Sequence, residues 1–355
     1  LSAPAADAAP VYAARIGDAL SDHELVLSVW RGALSQESRL HAAKYAWFHQ
    51  HGPTGSSLLA LIDHTPSQTC VGTSAAGRRR MLWQGREIRA GVMADMAVSP
   101  QHRTLGPVLT LQATLLEAAA DTFDWLYGFP NAKSIAVAKR AGFPVIGQLR
   151  RYSRVLRHGP YLSRVTASPL ARPLGWLLDT VMDARRWLRL QTGTRIISEW
   201  SERVDPAMDQ LWQESAHGDG LVAVRDCAFL RWRFDEYPGA STRYLFLREQ
   251  HAGPLLAWFA CQVAGTTLHV CDFWSRDAAQ GLPRSQIEAL LRAARQDAGV
   301  YSAVSVEYAA AGEKLAGWLA AGFVERSLRS IIGRSLSAGC AQVTDLHLTA
   351  ADEDE

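Results

Sequence analysis

Met93-Ala94-Asp95-Met96-Ala97-Val98-Ser99-Pro100-Gln101-His102-Arg103-Thr104-Leu105-Gly106-Pro107-Val108 is the stretch from which the fold can be read. It reads as a strand, then a short polar turn, then a helix. Backbone N–H groups at such a helix start have no intrahelical partner and carry partial positive charge. They suit a pyrophosphate, above all where a glycine, here Gly106, lets a ligand approach the chain closely. Taken alone this is a generic anion-binding feature.

Upstream, apolar residues recur at helical spacing over residues 22–34 (Leu25, Val26, Val29, Trp30, Leu34). Residues 57–62, 69–73 and 89–98 have strand character, the last two separated by a polar, glycine-bearing stretch at 75–85. Downstream, residues 107–120 predict an amphipathic helix with Pro107 at its first position. A short strand at 123–127 and a helix at 131–141 closed by Gly142 follow. Residues 144–156 alternate as one or two final strands. This order predicts an α/β (α+β) domain with a mixed sheet.

The whole chain has 355 residues, long for one core and comfortable for two domains. A formal net charge of +2 gives no global field that would favour nucleic acid. Cys70, Cys227, Cys261, Cys271 and Cys340 are scattered and never form a CxxC pair, so no metal site is expected. No apolar run approaches the ~20 residues of a membrane span, and a cytoplasmic location is expected. Residues 1–20 read as a disordered lead-in with no signal-peptide pattern, and the acidic residues 350–355 as a frayed end.

Two local stretches repeat. Trp47-Phe48-His49-Gln50-His51-Gly52-Pro53 parallels Trp232-Arg233-Phe234-Asp235-Glu236-Tyr237-Pro238, and Ala141-Gly142-Phe143 parallels Ala321-Gly322-Phe323. The tryptophan-to-glycine separations are 95 and 90 positions, with similar elements between. The expected organisation is therefore two like domains, 21–158 and 196–338. A linker at 159–195 carries an amphipathic helix, and a tail covers 339–355. Arg185, Arg186 and Arg189 cluster near the end of the linker helix. They suit either packing across two domains, favoured by the helix dipole, or peripheral contact with a membrane surface.

Residues 93–108 with their flanks resemble the acyl-CoA-binding segment of the GNAT superfamily, which carries Arg/Gln-x-x-Gly-x-Gly/Ala between a strand and a helix. Arg103-Thr104-Leu105-Gly106-Pro107-Val108 fills that frame, with Val108 at the final small position. Downstream, Asn131, Ser134, Gly142 and Phe143 match the family's second segment. The resemblance covers roughly residues 20–156 and extends to the second half in outline. It implies two GNAT-like domains in tandem, the second degenerate, and acetyl-CoA or another acyl-CoA lying between two splayed strands. Backbone groups of Met96, Ala97 and Val98 would hold the pantetheine arm and polarise the thioester. Those of Leu105 to Val108 would hold the pyrophosphate, Pro107 having no N–H to give, and Asn131 would touch the arm. An acceptor amine of a small metabolite or sugar would then attack directly, a chemistry suggestive of envelope or exopolysaccharide synthesis. The family's tyrosine acid falls at Ala138 here, which keeps a non-catalytic acyl-CoA sensor or scaffold in play. A Fem-like aminoacyl transferase is a further alternative, at odds with the low net charge.

For proton removal, Asp95 beside the expected thioester is one candidate, weighed against an ion pair with Arg89 or an arginine of the neighbouring strand. His49 and His51 titrate in the useful range, weighed against plain loop histidines. Trp47, Trp232, Arg233 and Tyr237 are candidates for the acceptor cleft, with buried core as the alternative for Trp232. The second half has Ala311 where the first has Asn131 and lacks the glycine frame in 275–281, so no acyl-CoA is expected there.

Overall fold

Residues 69–98, expected as two strands around a polar gap, form one long hairpin. Strand β3 (Thr69–Trp83) turns at Gln84 and Gly85, with φ of 50° and 69°, into β4 (Arg86–Val98). Two left-handed residues are what a tight hairpin turn demands. The polar stretch continues the strand because burial alternates along it: Arg79, Met81 and Trp83 are buried while Arg80 is exposed. Gly77 is required where it stands, since a Cβ would lie 2.5 Å from the Phe48 ring.

The computed structural model describes residues 10–34, 38–157, 196–297, 301–310, 312–337, 343 and 345–354. The expected linker helix with Arg185, Arg186 and Arg189, and position Ala311, lie outside them. The remaining strands of the first half are β1 (Tyr12–Gly17), β2 (Leu58–His64), β5 (Trp125–Gly128) and β6 (Val145–Val155). Those of the second are β7 (Ile197–Ser201), β8 (Leu221–Ala223), β9 (Arg243–Arg248), β10 (Leu255–Ala264), β11 (Thr267–Ser275), β12 (Ala303–Ala309), β13 (Val324–Ser335) and β14 (Leu346–Thr349). Helices α1 (His23–Ala33), α2 (Ser38–Tyr45), α3 (Leu105–Thr122) and α4 (Ile135–Arg140) belong to the first half. Strand β1 corrects the expected lead-in: Tyr12–Gly17 pairs antiparallel with β2 over its whole length.

These strands form a single mixed sheet in the order β1-β2-β3-β4-β5-β13-β6-β12-β11-β10-β9-β7. The two final strands have changed places. Strand β13, from the second half, pairs with β5, and β6, from the first half, pairs with β12; β6 and β13 pair with each other between them. Strand β14 pairs with β12 and β8, and β8 with β3. Following the pairs β3-β4-β5-β13-β6-β12-β14-β8 leads back to β3, so this part of the sheet closes into a ring.

The repeated tryptophans meet inside the junction. Each lies on a π-helical turn, Ala46–Gln50 and Arg231–Asp235. Trp47 Nε1 donates to the Trp232 carbonyl at 2.6 Å, and Trp232 Nε1 to the Trp47 carbonyl at 2.9 Å. The rings stack with centroids 4.7 Å apart and planes 11° apart. The repeated Gly142 and Gly322 end their helices with φ of 86° and 84°, the left-handed cap that favours glycine. An arginine of a neighbouring final strand crowds each: Arg334 of β13 beside Gly142, Arg154 of β6 beside Gly322. One contiguous apolar cluster includes Trp47, Tyr127, Trp232, Trp258 and Tyr308, so both halves share a core.

The acidic end is not frayed. Ala351, Asp352 and Glu353 are buried. Thr349 caps the turn Ala350–Asp352 reciprocally with Asp352, and buried Arg225 donates to Asp352 at 2.9 Å. No helix among the described residues is long and apolar enough to cross a membrane.

Candidate functional site

Strands β4 and β5 run parallel and pair only from Ala90–Trp125 to Val92–Tyr127. Past Val92 they diverge, and the gap widens into a cavity of about 420 Å³. Met93, Ala94, Asp95 and Met96 line one side, and Gly128, Phe129, Pro130 and Asn131 the other. On the far edge of β4 the register slips: Thr73 faces Ala97 and Ala75 faces Ala94, so Asp95 and Met96 together oppose Ser74. This is a β-bulge, which takes backbone groups out of the ladder and re-aims them. Asp95 accommodates it with a φ of 49°, an uncommon conformation that Asp tolerates better than most residues.

Asp95 lines the cavity, as expected, but its carboxylate is engaged on both oxygens. Lys44 Nζ lies 2.8 Å from Oδ1 and His49 Nε2 3.0 Å from Oδ2. Burial works against the charge, yet Lys44 and His49 outweigh it and hold the carboxyl well below the usual range. So weak a base is poorly matched to taking a proton from an amine. The arrangement instead anchors the bulge, helped by Thr73 Oγ1, which donates to the Asp95 carbonyl at 3.4 Å and accepts from Trp30 Nε1 at 3.2 Å.

After β4 the chain makes one short turn and enters α3 at Leu105, two residues ahead of the expected start, so Pro107 stands third. Thr104, before the first turn, makes no side-chain cap. The first N–H groups are therefore left to an external acceptor. Gly106 is exposed, and a Cβ there would meet nothing within 4 Å. Val108 and Pro107 face inward, so the bulk of Val108 does not obstruct the helix tip. Arg103 folds back onto the Val98 carbonyl at 3.1 Å and the Ala33 carbonyl at 3.3 Å, which braces the turn. Ala97 and Val98 are buried, leaving Met96 as the member of that trio on the cavity wall. Asn131 and Ser134 line the cavity too. Asn131 Oδ1 accepts from the backbone N–H groups of Lys133 and Ser134 at 2.9 and 3.0 Å, delaying the helix to Ile135.

The expected acceptor residues lie elsewhere. Trp47 and Trp232 are consumed by the junction, and His49 by Asp95. His51 is exposed off the cavity. Arg233 is buried and donates to the carbonyls of Ala351 and Ala350 at 2.9 and 3.1 Å. Tyr237 edges onto Trp47 and lines a separate cleft with Glu202 and Arg243. In their place, Glu353 and Asp354 of the tail and Arg329 and Ile332 of β13 complete the cavity wall. Nothing local marks these residues; only the exchanged strand and the closed ring bring them here. Ala138 also lines the cavity.

In the second half, β11 and β12 likewise pair only as far as Val270–Val306. There the divergence is filled. Strand β14 pairs with β12 at Tyr308–Thr349 and Ala309–Leu348. Behind it Arg225 binds Asp272 at 3.0 Å and Asp352 at 2.9 Å, all three fully buried.

No protein-family model matches the sequence, and no curated protein matches it. Solved structures do. A GCN5-related N-acetyltransferase from Anabaena variabilis superposes with a TM-score of 0.64 at 10% identity, over 92% of this chain and 73% of that one. One from Kribbella flavida gives 0.59 at 12% identity, over 92% and 71%. A probable N-acyltransferase from Enterococcus faecalis gives 0.62 at 10% identity, over 92% and 73%. With its splayed parallel pair, bulged β4 and open helix tip, the chain has the fold of the GCN5-related N-acetyltransferases.

Proposed function

We propose that the protein is an acyl-CoA-dependent N-acyltransferase built from two GNAT-like units in tandem, of which only the first binds the donor. The observation that carries this reading is the open gap between β4 and β5, bordered by a bulge and Asn131 and preceding an uncapped helix start. The corresponding gap in the second half is occupied by β14.

The pyrophosphate of acetyl-CoA or another acyl-CoA would rest on the N–H groups opening α3, and the pantetheine arm would run into the cavity past Asn131 and Ser134. Backbone N–H groups at the bulge would donate to the thioester oxygen as it gains charge in the transition state, usually the largest electrostatic contribution to acyl transfer. The nitrogen of a neutral amine attacks the carbonyl carbon, the C–N bond forms, and the C–S bond breaks. The nitrogen sheds its surplus proton through water and the departing thiolate takes one up, since Ala138 offers none. The acceptor would be an amine of a small metabolite or sugar from envelope or exopolysaccharide synthesis.

Calorimetric titration with acetyl-CoA and a long-chain acyl-CoA tests the donor. Wild type should bind, and Gly106→Trp should not, because the indole has room without disturbing the fold and covers the helix tip. Equal binding by both proteins would remove the first helix tip as the donor site, and no binding by wild type would defeat the reading itself.

A further inference from the structure

The cavity wall carries carboxylates in two different states. Asp95 is held by Lys44 and His49 and stays charged. Glu353, 5% exposed, faces a single guanidinium. Arg329 Nη1 donates to Glu353 Oε2 at 2.7 Å and Nη2 contacts Oε1. The same Nη2 reaches Glu307 Oε2 of β12. Two carboxylates thus divide one cation, and of the three groups only Glu353 is buried. Asp354 adds negative charge beside them, and Asp352 is already committed to Arg225. Burial pushes the Glu353 carboxyl up, Arg329 pulls it back, and Glu307 and Asp354 add to the rise, leaving it at about 7. Two carboxyl groups driven apart by their surroundings commonly divide acid–base roles in one site.

We infer that Glu353, delivered to the cavity by the chain's own tail, is the base that deprotonates the acceptor, and that the acceptor is a primary amine arriving as its ammonium ion. This rests on the acyltransferase reading above. A wall with an excess of carboxylate favours a cation over a neutral hydroxyl acceptor. The ammonium gives one proton to Glu353 and becomes a neutral amine. Its nitrogen forms the C–N bond as C–S breaks. The second N–H proton passes through water to the departing thiolate, and Glu353 then returns its proton to solvent.

The test uses the full chain as wild type, Glu353→Gln, Glu353→Asp and Glu307→Gln. Acetyl-CoA binding is measured first by calorimetry. CoA release is then followed with ethylenediamine, glucosamine and lysine amide from about pH 5 to 9. Glu353→Gln should bind acetyl-CoA as wild type does and lose about 100-fold in rate near neutral pH, recovering as the free amine grows with pH. Glu353→Asp should keep the pH limb at a lower rate, which serves if the Gln variant does not fold. Glu307→Gln should move the limb down by about one pH unit, because Arg329 then serves one carboxylate. Infrared difference spectra without any amine should show a carboxyl titrating near neutrality that vanishes in Glu353→Gln. A Gln variant within about twofold of wild type with the same limb overturns the proposal, as does the absence of that titration. Loss of acetyl-CoA binding in wild type would instead count against the acyltransferase reading.

Discussion

At the scale of single residues, position 95 combines a strained backbone with a buried charge. The left-handed conformation of a non-glycine residue costs on the order of 1–3 kcal/mol, and the ion pairs to Lys44 and His49 hold it in place. Asp95→Asn keeps the tolerance for that conformation but removes the buried charge that Lys44 and His49 bind. A loss of about 3 kcal/mol in urea denaturation is expected. The double variant Asp95→Asn, Lys44→Met should lose less than Asp95→Asn alone. The pH dependence follows from the sign of the shift. The folded carboxyl lies below its unfolded value, so its contribution is present above about pH 4 and disappears as pH falls toward the folded value. Acid unfolding of the Asn variant should therefore be shallower than that of wild type. The place of Asp95 on the cavity wall is legible in the sequence, because β4 runs directly into the α3 turn. Its partners are not, since Lys44 and His49 come from a helical segment some fifty residues upstream with no local mark of burial.

At the scale of elements, β14 separates the two gaps. It completes β12, carries Thr349 into the buried network and leads Glu353 to the first cavity. Arg225 is the cation on which that network depends, fully buried and donating also to the Ala223 carbonyl at 2.8 Å. Arg225→Met leaves Asp272 and Asp352 facing each other without it. A loss of about 3–5 kcal/mol is expected, read as a lower midpoint in chemical denaturation. Most helices and strands could be placed from periodicity and their glycine caps, which are local signals. The tail could not. Its run of Asp and Glu has the composition of a solvated end, and the arginines that bury it, Arg225 and Arg329, lie 127 and 24 residues away. The long β3–β4 hairpin was likewise hidden, because three consecutive arginines look like a loop until one of them is found inside.

At the scale of the molecule, the exchanged final strands bind the halves to one core. Produced separately, residues 1–157 lack β13 along β5, and residues 196–355 lack β6 along β12. Each fragment exposes a long strand edge, an invitation to aggregation. Each alone is expected to be insoluble, whereas co-expression should give a soluble one-to-one complex on gel filtration. Soluble, folded single fragments would show that the exchange is dispensable. The repeated tryptophan and Gly-Phe anchors are legible in the sequence, and the structure brings the two tryptophans together and gives both glycines the same left-handed conformation. Which half keeps which last strand was not visible, since β6 and β13 present similar patterns and pairing choice is settled by tertiary contact.

The same exchange sets a schedule on the ribosome. The edge of β5 is complete when Gly128 emerges, yet its neighbour β13 begins at Val324, about two hundred residues later. At ordinary elongation rates that edge stays open for roughly 10–40 s. The nascent first half should therefore be a chaperone client whose release coincides with translation of β13, and slowing elongation between the two strands should lower the yield of native protein more than slowing it anywhere after Ser335.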